Sequence, residues 1–133
     1  MVPERNPTVL VVDDNDMMRA LLRGILRQEA YHVVGEARDG GTALSQTERL
    51  RPDVVCLDVV MPNTDGLETL RSIKAQWPET VVLMITANSD RDTVEAAITA
   101  GASGYVVKPF NAGRVLATLQ RAVAHLRKPA RGA

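Results

Sequence analysis

Five short apolar runs punctuate the chain at regular intervals. They are Val9–Val12, Tyr31–Val34, Val54–Leu57, Val81–Ile85 and Tyr105–Val107. All are of strand length, rich in β-branched residues and almost continuously apolar rather than alternating. This pattern is typical of strands that are buried on both faces of a parallel sheet.

Apolar residues at helical spacing fill the segments between these runs. Four stripes are clear: Met18, Leu21, Leu22, Ile25 and Leu26; Leu67, Leu70, Ile73 and Trp77; Val94, Ala97 and Ile98; and Val115, Leu116, Leu119, Val123 and Leu126. The segment 42–50 is a weaker helix candidate that follows Asp39 and two glycines. Ser89 or Asp90 is predicted to cap the third stripe, and Asn111 the last.

Strand and helix therefore alternate five times, which predicts an α/β fold with helices on both faces of a parallel sheet. The 133 residues suit one domain. We expect it to span residues 8–127, between an N-terminal extension (1–7) and a short tail (128–133).

Chemically active residues follow four of the five predicted strands. They are Asp13 and Asp14 after the first, Asp58 after the third, Thr86 and Ala87 at the end of the fourth, and Lys108 after the fifth. Ligands of open α/β sheets bind outside the carboxyl ends of the strands, so these residues are predicted to meet at one edge.

The residue types at this edge suit phosphoryl chemistry. Three converging carboxylates repel one another, and a divalent cation relieves that repulsion; oxygen ligands favour Mg²⁺. One carboxylate would be free to attack phosphorus. Lys108 can supply a positive charge and Thr86 a hydrogen bond, while the small Ala87 lets a phosphoryl group approach the backbone.

Composition limits the alternatives. The formal net charge is zero, which gives no electrostatic reason to expect direct nucleic-acid binding. No apolar stretch is long enough for a bilayer, and the N-terminal residues lack the apolar core of a signal peptide, so no membrane partner is expected. The single cysteine, Cys56, is predicted to be a core residue, which is compatible with a cytoplasmic location.

Several motifs in combination resemble those of the receiver domains of bacterial two-component response regulators, including chemotaxis regulators. They are Val11–Asp14, Leu57–Pro62 with Asp65 and Gly66, Ile85–Ala87, and Gly104–Phe110. The similarity runs from about Thr8 to Leu126. It implies a flavodoxin-like, doubly wound sheet of five parallel strands in the order 2-1-3-4-5, with five helices.

The resemblance also implies roles for individual residues. Asp58 would be the phosphoacceptor, and Thr86 and Lys108 would hold the phosphoryl oxygens. Asp14, Asp58 and the carbonyl of Val60 would ligate Mg²⁺ directly, with Asp13 acting mostly through water. Thr86 and Tyr105 would form the switch. The Lys108–Pro109 bond is expected to be cis, and Gly66 is expected at a turn position that favours positive φ.

By the same resemblance, the donor would be a phosphohistidine on a sensor histidine kinase or a histidine phosphotransfer protein. The readout would be the face built from the fourth helix, fifth strand and fifth helix, used by an unidentified downstream protein or by a phosphorylation-linked homodimer. The domain would catalyse only its own phosphorylation and dephosphorylation, and would not be an enzyme in the ordinary sense.

Two alternatives remain at this point. The chain could be the receiver half of a longer transcriptional or enzymatic regulator. It could also be a phosphatase that forms an aspartyl-phosphate, as haloacid dehalogenase-type enzymes do. Those enzymes carry an Asp-x-Asp-x-Thr-like run after the first strand, whereas the corresponding run here, Asp14–Met18, lacks the threonine.

Overall fold

The computed structural model describes residues 6–62 and 64–124 of the chain. Within these two ranges the elements follow in this order: β1 (Thr8–Val12), α1 (Asp16–Gln28), β2 (His32–Ala37), α2 (Gly40–Leu50), β3 (Val54–Leu57), β4 (Val60–Met61), β5 (Thr64–Asp65), α3 (Gly66–Gln76), β6 (Val81–Thr86), α4 (Arg91–Thr99), β7 (Gly104–Val107) and α5 (Ala112–Val123). Leu126, His125 and the tail from 128 onwards lie outside the described residues, so the predicted domain end at residue 127 stays a prediction.

Five strands form one parallel sheet in the order β2-β1-β3-β6-β7. This is the predicted order, because β4 and β5 are two-residue strands that form a separate antiparallel pair. The flavodoxin-like fold class is thus confirmed.

The central strands send alternate side chains into two separate cores. In β1, Val9 and Val11 belong to the core beneath α1 and α5, whereas Leu10 and Val12 belong to the core beneath α2, α3 and α4. All six residues of β6 are buried, so the continuous apolar pattern correctly predicted a strand that is buried on both faces. Cys56 lies in the first core, and burial raises the pKa of its thiol to about 12, which leaves it unsuited to be a nucleophile.

The edge strands and two helix positions depart from the predicted burial. β2 begins at His32 rather than Tyr31, and most of its residues are only half-buried, since β2 has a neighbour on one side only. Leu21 and Ile98 were expected to face the core but are 48% and 50% exposed. Both lie at the margin of their helix's apolar stripe, where the sheet beneath no longer covers the side chain.

Polar side chains cap the N-termini of α2, α4 and α5, and the caps of α4 and α5 are among the residues that the sequence predicts. The side chain of Asp39 accepts from the N–H of Thr42 at the start of α2, Asp90 accepts from Thr93 at the start of α4, and Asn111 accepts from Arg114 at the start of α5. Asp90, rather than Ser89, is therefore the cap of α4. Each cap marks the residue at which a strand-to-helix connection ends and the helix begins.

Gly66 is required for a different reason from the one predicted. Among the described glycines only Gly101 has a positive φ, of 109°. A Cβ on Gly66 would instead lie 2.5 Å from the Cα of Val59 and 2.6 Å from the carbonyl oxygen of Asp58. The glycine allows α3 to begin directly against the backbone that carries Asp58.

Candidate functional site

The carboxyl ends of β1, β3, β6 and β7 bring the predicted site residues together. Beyond the strand ends, the sheet's hydrogen bonds continue from the N–H of Asp13 to the carbonyl of Ala37, from Asp58 to Val12, and from Lys108 to Thr86. Each functional residue is therefore held by its own backbone at the sheet edge. The Lys108–Pro109 peptide bond is cis, as expected.

Three carboxylates form the centre of the site. One ligand oxygen from each of Asp13, Asp14 and Asp58 lies within 4.8 Å of the other two. Asp13 and Asp58 are buried, with 1% and 5% exposure, whereas Asp14 is half-exposed. Buried carboxylates this close need positive charge nearby, and an all-oxygen donor set fits a hard divalent cation such as Mg²⁺.

Lys108 bridges two of the three carboxylates. Its Nζ lies 2.6 Å from Oδ2 of Asp13 and 3.1 Å from Oδ2 of Asp58. Burial lowers the pKa of Lys108, but the hydrogen bonds and charges of the two aspartates outweigh it, so the net pKa is raised. The ammonium therefore stays charged throughout the neutral range, where it can also meet a phosphoryl oxygen.

Backbone and side-chain hydrogen bonds fix the orientation of the buried carboxylates. Oδ1 of Asp58 accepts from the N–H of Val60 at 3.0 Å, and Oδ1 of Asp13 accepts from the N–H of Asn15 at 2.9 Å. The side chain of Val60 is 59% exposed beside the site. Each of these two carboxylates thus keeps Oδ2 turned to Lys108.

Thr86 and Tyr105 are connected through one loop residue. The buried hydroxyl oxygen of Thr86 accepts from the N–H of Asn88 at 3.3 Å, and the Tyr105 hydroxyl donates to the carbonyl of Asn88 at 2.7 Å. Burial, followed by the charges of Asp58 and Asp90, raises the pKa of Tyr105. The phenol is therefore protonated at neutral pH and remains a donor.

Sequence reasoning did not find Arg19 and Glu36, which lie directly behind the acidic cluster. Nη1 of Arg19 donates to the carbonyl oxygen of Asp13 at 2.7 Å, and Nε donates to Glu36 at 3.1 Å. A glutamate in the otherwise largely apolar run of β2 was the available signal.

The described residues contain no helix long and apolar enough to cross a membrane.

Comparison with known proteins agrees with this geometry. A family model for the response regulator receiver domain matches residues 9–120. The chemotaxis protein CheY of Listeria monocytogenes is 40% identical over 114 residues, which cover 86% of this chain and 96% of that protein. The transcriptional regulatory protein PdtaR of Mycobacterium tuberculosis is 39% identical over 127 residues, which cover 96% of this chain but only 60% of PdtaR.

Solved structures of similar proteins have the same fold over most of this chain. The response regulator domain of Thermotoga maritima CheB has a TM-score of 0.84 at 32% identity, with 90% of this chain and 98% of that chain covered. CheY in the CheX–CheY–BeF₃–Mg²⁺ complex from Borrelia burgdorferi has a TM-score of 0.82 at 30% identity, with 91% and 90% covered.

These matches do not favour the phosphatase alternative. The Asp14–Met18 run that suggested it spans the end of the β1–α1 loop and the first turn of α1, which begins at Asp16. Receiver domains transmit signals in two-component systems, where they meet histidine kinases or phosphotransfer proteins and downstream targets. By its sequence, its fold and the acidic site at its strand ends, the chain belongs to the response regulator receiver domain family.

Proposed function

We propose that Asp58 accepts a phosphoryl group from a phosphohistidine donor, with Mg²⁺ held by Asp13, Asp14, Asp58 and the carbonyl of Val60. The observation that carries this proposal is the cluster of three carboxylates within 4.8 Å, two of them bridged by Lys108. The donor would be a sensor histidine kinase or a histidine phosphotransfer protein, and the cytoplasm is the compartment that fits the free Cys56.

The reaction exchanges one bond to phosphorus for another. A carboxylate oxygen of Asp58 forms a bond to phosphorus while the bond from phosphorus to the donor's imidazole nitrogen breaks, and its electron pair stays on that nitrogen. The bound Mg²⁺ would supply charge neutralisation to the phosphoryl oxygens. Lys108, already 3.1 Å from Asp58, is placed to turn from the carboxylate to a phosphoryl oxygen.

The effect of phosphorylation would pass from Thr86 through Asn88 to Tyr105. Thr86 donates its hydroxyl hydrogen to no acceptor in the described part of the chain, so the hydrogen is available to a phosphoryl oxygen. A turn of Thr86 towards that oxygen would break its bond to the Asn88 N–H. Because Tyr105 donates to the carbonyl of the same residue, its orientation would change with the loop.

The proposed readout is the face of α4, β7 and α5. Ile98 on α4 is 50% exposed and Val107 on β7 is 39% exposed, and Tyr105 lies two residues before Val107 on the same strand. Exposed apolar side chains on α4 and β7, together with the tyrosine that the proposal couples to phosphorylation, suit a downstream protein or a second copy of the chain. The proposal includes no direct contact with nucleic acid and no turnover of a separate substrate.

Removal of the metal tests the proposal directly. With acetyl phosphate and Mg²⁺, the intact mass of the protein should increase by one phosphoryl group, and EDTA should abolish the increase because Lys108 alone cannot balance the added charge. Restoring Mg²⁺ in excess of EDTA should restore it. A chain whose mass never changes, or changes equally with EDTA, would refute the proposal.

The lifetime of the phosphorylated state should depend on Val60. Its side chain is apolar and largely exposed beside Asp58, so it offers no hydrogen bond to an attacking water. We expect Val60→Asn to speed loss of the phosphoryl group several-fold, because an amide there can orient that water. Decay followed by intact mass after removal of acetyl phosphate measures this rate; Val60→Ala is the control, and equal rates for all three proteins would contradict the explanation.

A further inference from the structure

Arg19 links the β1–α1 loop, strand β2 and the first turn of α1 next to the acidic cluster. Its guanidinium donates to the main-chain carbonyl of Asp13, to Glu36 on β2 and to Asp16 in the first turn of α1. Its side chain is only 14% exposed. Neither Arg19 nor its three partners belongs to either apolar core, and the bond to Asp13 joins Arg19 to the site.

We propose that Arg19 is a positioning residue that, held in place by Glu36, presets the β1–α1 loop for divalent cation binding by Asp13 and Asp14. This inference rests on the proposed function, since it concerns the same metal-binding carboxylates. It assigns the loop's geometry to a side chain that forms no hydrogen bond with the carboxylate oxygens of Asp13, Asp14 or Asp58, and that contacts Asp13 only at its main-chain carbonyl.

The backbone of Asp13 is fixed at both polar groups. Its N–H donates to the carbonyl of Ala37 on β2 at 3.0 Å, and its carbonyl oxygen accepts from Arg19 at 2.7 Å. The peptide that joins Asp13 to Asp14 therefore cannot rotate without breaking the bond to Arg19. Asp14 follows directly, is half-exposed, and has no sheet partner of its own to fix it.

Glu36 gives the guanidinium a rigid support. It pairs with Val11 in the register of β1 and β2, so its position relative to the end of β1 is set by the sheet. A second arginine, Arg23, lies 2.5 Å from the other oxygen of Glu36 but forms no hydrogen bond or ion pair with the β1–α1 loop. The planar fork of Arg19 can serve several acceptors in fixed directions at once, which a lysine ammonium cannot reproduce.

The charge of Arg19 is paired with the carboxylates of Asp16 and Glu36, so its expected effect on the metal ligands is one of orientation. Lys108 forms ion pairs with Asp13 and Asp58 but none with Asp14. Groups that orient metal ligands from behind commonly change metal affinity by tenfold or more when they are removed. A similar effect is expected here, without a comparable loss of fold stability.

The test compares four variants of the whole chain: Arg19→Ala, Arg19→Lys, Glu36→Gln and Arg23→Ala. Calorimetric titration with MgCl₂ alone gives the dissociation constant, and phosphorylation by acetyl phosphate at saturating Mg²⁺ gives a rate. We expect Arg19→Ala to weaken Mg²⁺ binding about tenfold, with a smaller loss of rate at saturation. Arg19→Lys should fail to restore affinity, Glu36→Gln should weaken it partly, and Arg23→Ala should resemble the wild type.

The outcomes separate this inference from the proposed function. If the wild type binds Mg²⁺ and becomes phosphorylated but Arg19→Ala binds Mg²⁺ equally well, the positioning role is refuted while the proposed function stands. A lower melting temperature with unchanged affinity, or full rescue by Arg19→Lys, would also refute it. If the wild type binds no Mg²⁺, the proposed function fails first. Should Arg19→Ala not fold, the Glu36→Gln and Arg23→Ala pair decides the question.

Discussion

Replacement of Asp58 by asparagine is expected to abolish phosphorylation by acetyl phosphate at every Mg²⁺ concentration. An amide oxygen lacks the negative charge that makes a carboxylate a nucleophile for phosphorus. The shape of the site should survive, because asparagine has nearly the same volume and its oxygen can still accept from the N–H of Val60, as Oδ1 of Asp58 does at 3.0 Å. Intact mass before and after incubation is the measurement.

Asp65→Asn is the matched control. Asp65 is an exposed carboxylate that caps α3 by accepting from the N–H groups of Leu67 and Glu68, a role that asparagine fills equally well. This variant should gain the phosphoryl group at the wild-type rate. A phosphoryl group found on Asp58→Asn would instead assign the acceptor role to Asp13 or Asp14, and peptide mapping would show which.

The fold was predictable because its signals are local. The apolar runs of β3 and β6 and the capping residues of α4 and α5 can be read from neighbouring letters of the sequence. The site followed from the fold, since parallel strands bring their carboxyl ends to one edge and the residues after those strands are fixed by position. No distance had to be known to place Asp13, Asp58 and Lys108 together.

What the sequence did not predict depends on contacts between distant segments. Arg19 and Glu36 are 17 residues apart, and they meet only because the register of β1 and β2 brings Glu36 beside the end of β1. The exposure of Leu21 and Ile98 depends on how far the sheet extends beneath a helix, which periodicity cannot measure. Likewise, a glycine in the sequence does not reveal whether it serves a positive φ or a close contact.

Gly66→Ala is expected to cost about 3 kcal/mol or more of the free energy of unfolding. The added Cβ would lie 2.5, 2.6 and 2.7 Å from three atoms of the Asp58–Val59 backbone, none of which can move like the end of a flexible side chain. Relief of the clash must shift either the start of α3 or the segment that carries Asp58. We therefore expect slower phosphorylation as well, even at temperatures where the variant is fully folded.

Gly24→Ala provides the opposite case within the same chain. Gly24 lies in the exposed part of α1, and a Cβ there would meet nothing within 4 Å. Alanine is the better helix former, so this variant should be more stable than the wild type by about 0.5–1 kcal/mol, with an unchanged phosphorylation rate. Urea denaturation at equilibrium compares the three proteins. Equal midpoints for Gly66→Ala and the wild type would show that the backbone around Asp58 yields to the methyl group, and that Gly66 does not set the geometry of the phosphoacceptor.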